Sequence, residues 1–292
     1  MERKRIVVVV GATGNQGGAV AESLLRRGHE VRAITRNPDS ARAKELAKAG
    51  AKLITASLED TKALSRALEG ATSLFAVTTP AGGPDTETRR GIVAADAAKA
   101  AGVHLVFSSV GSANRQTGIP HFESKYAVER HIATIGVSAT ILAPVYFMEN
   151  LYFAREQLAQ GVYAAALPRT RTLAQVAVAD IGAVATRVLE DEGRFRGARF
   201  DLAGDELTGD EVVTILARVT GRPFTYYRIP LDVIRQRMGE EAAKMYQWFD
   251  RDGYTVDLHA LHRTFPDVAF YDFETWARAQ DWQTLLTGAP LP

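Results

Sequence analysis

Five times in the first half of the chain, a helix-like segment ends in glycine and a short run of β-branched and apolar residues follows. The joints are Gly28, Gly50, Gly70, Gly102 and Gly136. Glycine suits the left-handed residue that closes a helix, and Val/Ile-rich runs of this length are typical of buried parallel strands. This alternation predicts an α/β fold with a doubly wound parallel sheet and right-handed crossovers.

Composition excludes several classes of site. The 292 residues include no cysteine, so disulfides, thiolate nucleophiles and cysteine-based metal centres are excluded, and we expect no metal site. The 35 basic and 34 acidic residues nearly cancel, so direct binding to nucleic acid is not expected. No apolar run is long enough to cross a bilayer. We therefore expect a cytoplasmic protein that does not bind membranes.

The stretch GATGNQGG joins the first apolar run to the first helical segment. Gly11, Gly14 and Gly17 are spaced three residues apart within it. Between a strand and a helix, such glycines permit a tight turn and a close approach of backbone to pyrophosphate, which then rests on the helix N-terminus. The surrounding strand–helix–strand order makes this motif informative where a glycine triplet alone would not be. We predict an NAD(P)-binding Rossmann domain.

The second strand indicates which dinucleotide is bound. A fold selective for NAD places an acidic residue near the end of this strand, where it accepts a hydrogen bond from the ribose 2′-hydroxyl. This chain has Arg36 instead, with no acid between Val31 and Asn37. A guanidinium binds a 2′-phosphate in a bidentate way. We therefore predict NADP(H) as the cofactor, with Arg42 as a further candidate contact.

After Pro144 the alternation loosens, and residues 231–286 are predicted to be mostly helical. Thr208 and Glu211 have the spacing of a capping box at the start of another helix. We predict a dinucleotide-binding domain over residues 1–150. A smaller, mostly helical α+β lobe over residues 151–292 is expected to pack on it and form a substrate or partner cleft.

Six stretches together resemble one family. They are GATGNQGG, TRNP, VFSS, HFESK, PVYFMEN and VAVADIG. With them the chain resembles the atypical short-chain dehydrogenase/reductases, and more narrowly the NmrA-like group, which includes nitrogen-metabolite regulators and the HSCARG-type NADPH sensor. The resemblance runs from about Arg5 to the last helix.

The resemblance implies roles for individual residues. Thr13, Asn15 and Gln16 would contact the phosphates, and Arg36 the 2′-phosphate. Thr78 would pass beside a ribose, and Lys125 would reach the nicotinamide ribose. Within PVYFMEN, Tyr146 and Phe147 would border the nicotinamide ring. Ser108 would lie where catalytic relatives hold a substrate-contacting serine.

One helix decides whether catalysis is expected. Catalytic members of the wider superfamily read Tyr-x-x-Ser-Lys-x-x-x-Glu, and this chain has His121, Ser124, Lys125 and Glu129 at those positions. A lysine makes the tyrosine a usable acid and base near neutrality. Beside an imidazole, the same charge disfavours protonation, and neutral imidazole is a poor proton source for an alkoxide. Lys125 is therefore expected to be a cofactor ligand first, with catalysis by His121 left open.

Two functions remain open from the sequence. One is an NADP(H)-binding redox sensor that acts through a regulatory protein partner. The other is an NADPH-dependent reductase of quinones or small conjugated carbonyls, using Lys125 with His121 in place of the tyrosine. The reductase requires an open apolar pocket, whereas the sensor predicts that this space is filled. The resemblance also makes a homodimer possible.

Overall fold

The computed structural model describes residues 4–287 of the chain. Contacts within the chain divide it into two units. The first extends to Pro144 and resumes over Val178–Asp201, and the second comprises Val145–Ala177 and the described residues from Leu202 onward. The chain thus returns to the first unit after residue 177, whereas the sequence predicts a single boundary after residue 150.

The strands are short, as expected for segments buried in an α/β fold. In chain order they are β1 (Ile6–Val9), β2 (Glu30–Thr35), β3 (Lys52–Thr55), β4 (Ser73–Val77), β5 (His104–Ser108), β6 (Ala139–Pro144), β7 (Tyr146–Phe147), β8 (Val162–Ala165), β9 (Leu173–Val176), β10 (Arg199–Leu202), β11 (Asp205–Leu207) and β12 (Thr225–Arg228).

The helices include two that are longer than the rest, α4 and α5. In chain order they are α1 (Asn15–Arg26), α2 (Ala41–Lys48), α3 (Thr61–Leu68), α4 (Pro84–Ala101), α5 (Pro120–Ile135), α6 (Arg155–Ala159), α7 (Val178–Glu190), α8 (Glu192–Phe195), α9 (Gly209–Thr220), α10 (Leu231–Met238), α11 (Glu240–Arg251), α12 (Leu258–Thr264), α13 (Phe273–Arg278) and α14 (Trp282–Thr287). Within residues 4–287, no helix combines the length and apolar character that a membrane span requires.

A seven-stranded sheet organises the first unit. Its strand order is β10-β6-β5-β4-β1-β2-β3, and the pairs from β3 to β6 are parallel. This confirms the predicted doubly wound sheet and gives the 3-2-1-4-5-6 order of dinucleotide-binding folds. The five joint glycines all have positive φ, as a left-handed helix-closing residue requires. Because these strands are parallel, the carboxyl ends of β1 to β4 meet at one edge of the sheet.

The second unit is smaller and combines short strands with helices, as the sequence predicts. It has a three-stranded sheet, β11-β9-β7, and a parallel pair, β12-β8. Phe273, Trp276 and Leu216 belong to its buried apolar cluster. The predicted capping box is present, because Thr208 and Glu211 each bond the other's backbone at the start of α9.

His104 is a buried polar residue within the first unit. It is 3% exposed, and its ring nitrogens lie 2.9 Å from Ser138 Oγ and 3.1 Å from Thr140 Oγ1. Burial, with added repulsion from Arg196 and Arg5, lowers the pKa of His104 from 6.5 to about 4. The neutral ring thus joins β5 to the segment that carries β6, and its protonation opposes folding.

This burial predicts a pH dependence of stability. Because the folded pKa of His104 lies below its unfolded value, the folded protein binds fewer protons between pH 6.5 and about 4. Stability is full above that window and falls as the pH falls through it. From about pH 7 to about pH 5 we expect His104 to cost about 2 kcal/mol of unfolding free energy. Urea unfolding at both pH values measures this.

A His104→Gln variant is expected to lose that part of the pH dependence, whatever its absolute stability. His131, which is paired with Asp96 and 26% exposed, offers a matched control as His131→Gln. An equal pH dependence in the parent and the His104→Gln variant would contradict the assignment.

Candidate functional site

The turn between β1 and α1 is built on glycine. The Gly14 N–H donates to the Gly11 carbonyl at 2.9 Å, and α1 begins at Asn15 with Gly14 in extended conformation before it. Gly11 has φ +75°, and a Cβ on Gly17 would lie 2.3 Å from the Gly11 carbonyl oxygen. Only a chain without side chains at these two positions can fold so closely. The turn leaves the N–H-rich end of α1 beside the carboxyl end of β1.

A cleft of about 160 Å³ lies at the carboxyl ends of β1 to β4. Four of the predicted cofactor-binding residues line it: Gly11, Thr13, Arg36 and Thr78. Gly14, Asn15, Gln16 and Gly17 belong to the adjoining turn and the start of α1. Such a crevice outside the carboxyl ends of parallel strands is where open α/β sheets bind ligands.

The charges in the cleft fit a phosphate group. Arg36 is exposed and, within the described part of the chain, makes no ion pair or side-chain hydrogen bond. The other lining arginine, Arg90, donates to Glu59 at 2.6 Å and lowers the pKa of that carboxyl. Arg42, which the sequence offers as a second phosphate contact, pairs instead with Glu22 and Glu45. Arg36 is therefore the lining cation available to an anion.

Lys125 lies in a buried ion pair that the sequence does not predict. Its ammonium donates to Glu87 Oε1 at 3.1 Å, to Thr78 Oγ1 at 3.1 Å and to the Thr78 carbonyl at 3.2 Å. Glu87 is fully buried, and its other oxygen accepts from Ser124 Oγ at 2.7 Å. Burial lowers the pKa of Lys125, and the Glu87 carboxylate opposes that shift.

This geometry connects Lys125 to the cleft through Thr78, which lines it. Three acceptors match the three N–H groups of the ammonium. Glu87 occurs in the first turn of α4, within PDTETRR, and Asp85 lies two residues before it in the same turn. Nothing in the residue types indicates which of these two acids faces inward. Sequence reasoning could have found Glu87 only by asking what compensates the charge of a buried lysine.

The other two predicted catalytic residues lie elsewhere in the first unit. Ser108 is fully buried, and its hydroxyl donates to Gln16 Oε1 at 2.5 Å, so this serine contacts the predicted phosphate loop. His121 lies in the first turn of α5, one turn before Lys125, with its ring edge-on to Phe122 at 4.8 Å between centroids. Neither Ser108 nor His121 is among the described residues that line the cleft.

Glu129, the last residue of the superfamily pattern in α5, has a structural role. It accepts from the Ser109 hydroxyl and, at 2.9 Å, from Arg199 Nε. Arg199 also bonds Asp201, whose other oxygen accepts from the Ser112 N–H at 2.8 Å. This network holds the loop after β5, in which Ser112 adopts a left-handed φ of 60°.

The second unit contains an open cavity of about 470 Å³. Tyr146, predicted to border a cofactor ring, lines it, and Phe147 follows in β7 without lining it. The wall includes aromatic and sulfur-containing side chains: Tyr146, Met148, Phe153, Tyr163, Met238, Met245 and Tyr246. Aliphatic side chains fill much of the rest: Leu151, Ala154, Ala164, Ala165, Leu173, Ile229, Val233 and Ile234.

The polar residues of the cavity are few: Asn150, Gln157, Gln175 and Arg237, with the tyrosine hydroxyls. Burial raises the pKa of Tyr146 well above its usual value, and the neighbouring Tyr246 hydroxyl adds to the shift. Burial likewise raises the pKa of Tyr246. Both phenols are therefore protonated at neutral pH, and the Tyr146 hydroxyl donates a hydrogen bond to Tyr246. Such an apolar cavity with a few polar groups is typical of a small-molecule site.

Comparison with known proteins assigns the chain to one family. The sequence profile of the NmrA-like family matches residues 3–276. An NmrA-like family domain-containing oxidoreductase, FrzB, of a Cladobotryum species is 38% identical over 169 residues, which are 53% of this chain and 49% of that protein. The chain thus matches about half the length of that relative. Quinone oxidoreductase 2 of Escherichia coli K12 is 30% identical over 229 residues, covering 77% of this chain and 78% of that protein.

Solved structures share the fold over nearly the whole chain. The NADPH-dependent quinone oxidoreductase QOR2 of Escherichia coli, complexed with NADPH, matches with a TM-score of 0.78 and 25% identity, covering 93% of this chain and 98% of that one. The negative transcriptional regulator NmrA, complexed with NADP, matches with a TM-score of 0.76 and 22% identity, covering 96% and 99%. The second likeness shows the fold alone.

The buried pair predicts a pattern of stability changes. Removing one member leaves the other buried without a partner, which costs about 3–5 kcal/mol. We expect Glu87→Gln and Lys125→Met each to lower the unfolding free energy by about that amount. The double variant is expected to lose less than the sum of the two, and urea unfolding measures all three.

Asp232→Asn serves as the control, because Asp232 pairs with Arg235 at the surface with its side chain 83% exposed. That substitution is expected to change stability by less than about 1 kcal/mol. Single variants no less stable than this control, or strictly additive losses in the double variant, would argue against the pair.

Proposed function

This chain belongs to the NmrA-like family, and we propose from that premise that it is an NADPH-dependent oxidoreductase that reduces quinones or related conjugated carbonyls. The open apolar cavity of the second unit carries the proposal. A protein that only reports cofactor state needs no such space, whereas a reductase needs room for its acceptor. At about 470 Å³, the cavity has the size usual for small-molecule sites.

NADP(H) is the proposed cofactor, held in the first unit. An added Cβ would clash with neighbouring atoms at Gly11 and at Gly17. These two glycines therefore permit the tight backbone turn beside which a pyrophosphate rests. Arg36, left without a carboxylate partner among the described residues, suits the 2′-phosphate. The remaining proposed contacts to the cofactor are made by Thr13, Gly14, Asn15, Gln16 and Thr78. The E. coli quinone oxidoreductase QOR2 was solved with NADPH bound.

The acceptor class follows from the proton chemistry. When bound, the reduced nicotinamide supplies a hydride. An acceptor whose reduced oxygen is weakly basic needs no strong acid beside it, and a quinone meets that condition. His121 replaces the tyrosine of catalytic relatives, and Lys125 is neutralised by Glu87. Quinones are therefore favoured over simple ketones, and the hydrogen-bonded phenol pair of Tyr146 and Tyr246 offers one hydrogen bond to an acceptor oxygen.

A second candidate, the redox sensor, is favoured by one observation. The acceptors around the Lys125 ammonium, Glu87 and Thr78, match its three N–H groups, so the lysine is satisfied without a ligand. In such a protein the cofactor would be bound and exchanged without turnover. The NADP complex of the transcriptional regulator NmrA is a structural parallel at the level of the fold.

Turnover separates the two candidates. We expect NADPH oxidation with naphthoquinones and benzoquinones, and little or none with unconjugated ketones, followed by absorbance of the reduced cofactor. Ala165→Phe places a ring in the cavity and is expected to raise KM for the quinone at least about tenfold, with NADPH affinity unchanged. Saturable NADPH binding without turnover of any acceptor would contradict the reductase and favour the sensor.

The cofactor preference depends on Arg36. Losing a charge-assisted contact to a phosphate costs about 1.5–3 kcal/mol. We therefore expect Arg36→Gln to reduce the preference for NADPH over NADH by about 10- to 100-fold, with NADH binding little changed. Arg42→Gln is the matched control, since Arg42 is paired with Glu22 and Glu45. Calorimetric titration with both cofactors measures this, and an unchanged preference in Arg36→Gln would place the 2′-phosphate elsewhere.

A further inference from the structure

The cavity of the second unit has a single charged residue in its lining. Among its described lining residues there is no aspartate, no glutamate and no lysine, and Arg237 supplies the only formal charge. A neutral acceptor would make no use of that charge. An apolar wall with one cation complements a ligand that is mostly apolar and carries one anionic group.

Arg237 differs in its contacts from the arginine two residues before it. Arg235, also in α10, donates to Asp232 at 2.5 Å and to Glu240 at 2.7 Å. Within residues 4–287, Arg237 has no ion pair and no side-chain hydrogen bond, and it is exposed. The local acids therefore neutralise Arg235, which does not line the cavity, and leave the guanidinium of Arg237 available.

A second polar group of the wall belongs to a different element. Gln175, in β9, is only 4% exposed and lines the cavity. Its side-chain amide can exchange a hydrogen bond with water for one with a ligand oxygen. The cavity thus offers an amide on β9 and a cation on α10, separated in the sequence and in different elements.

Two exposed apolar side chains of the cavity wall suit a flat aromatic ligand. Phe153 and Met238 both line the cavity, although they are 86% and 60% exposed. Exposed apolar side chains that are grouped at a cavity indicate a binding surface, whereas singly scattered ones do not. Methionine and aromatic rings adapt well to planar molecules.

We propose that the acceptor is a flat aromatic molecule of the quinone class that carries a carboxylate or sulfonate bound by Arg237, with an oxygen paired to Gln175. This inference rests on the proposed reductase function. The anionic group binds by a charge-assisted hydrogen bond to the guanidinium. Recognition of the anion is therefore weakened by salt, whereas contact with the apolar wall is not.

The test compares two acceptors that differ only in charge. One is a naphthoquinone with a carboxyethyl side chain, and the other is its primary amide. The two methylene groups insulate the quinone from the charge, so the reduction potential is nearly the same in both. We expect KM for the acid to be about two- to tenfold lower than for the amide, and the difference to shrink at about 1 M salt.

Variants identify the residue responsible. Arg237→Gln is expected to abolish the preference for the acid, and Arg235→Gln, two residues away and outside the cavity, to retain it. Gln175→Leu is expected to raise KM for both acceptors alike. An acid preference unchanged in Arg237→Gln, or the same KM for acid and amide in the parent, overturns the proposal.

Calorimetric binding of the acid and the amide distinguishes failure of this inference from failure of the proposed function. Turnover without acid preference overturns the anionic acceptor and leaves the reductase. Preferential binding of the acid that depends on Arg237, without turnover, supports an anion-binding cavity and overturns the reductase. If neither turnover nor binding is observed, both the reductase and the anionic acceptor are overturned.

Discussion

The contact between the backbones of Gly11 and Gly17 is the constraint on which the proposed nucleotide site depends. A side chain on Gly17 would lie 2.3 Å from the Gly11 carbonyl oxygen, so β1 and α1 can meet at this angle only with glycine there. That angle brings the N-terminus of α1 to the sheet edge where β1 to β4 end. The polar ends of four parallel strands and one helix then share a single cleft.

Charge pairing selects which cations remain for ligands. Glu87 neutralises the buried Lys125, Glu59 binds Arg90, and acids on the surface occupy Arg42 and Arg235. In the described part of the chain, Arg36 in the first unit and Arg237 in the second line their cavities without a carboxylate partner. The same device thus marks both proposed ligand sites. It gives a physical reason why a chain with a net charge of only +1 can bind anions locally.

The fold could be predicted because its signals are local. Each joint glycine and each β-branched run indicates an element by itself, and the order of elements determines the sheet. The candidate cleft could be predicted by the same logic, since Arg36 and Thr78 come directly after strands and Gly11 and Thr13 lie in the turn that follows β1. Glu87 and Arg237 could not be predicted, because their meaning depends on which side chains fold against them. The return of residues 178–201 to the first unit is not visible in the sequence for the same reason: helix and strand periodicity do not reveal which sheet an element joins.

We propose that the dinucleotide binds beside the glycine turn and the acceptor in the apolar cavity of the second unit. Amide hydrogen exchange, measured with NADP⁺ alone and with the naphthoquinone acid alone, locates each ligand separately. We predict that NADP⁺ slows exchange at residues 11–17 and 35–37, and that the acid slows exchange in β8, β9 and α10. Unchanged exchange at residues 11–17 with saturating NADP⁺, or protection by the acid confined to the first unit, would contradict the account.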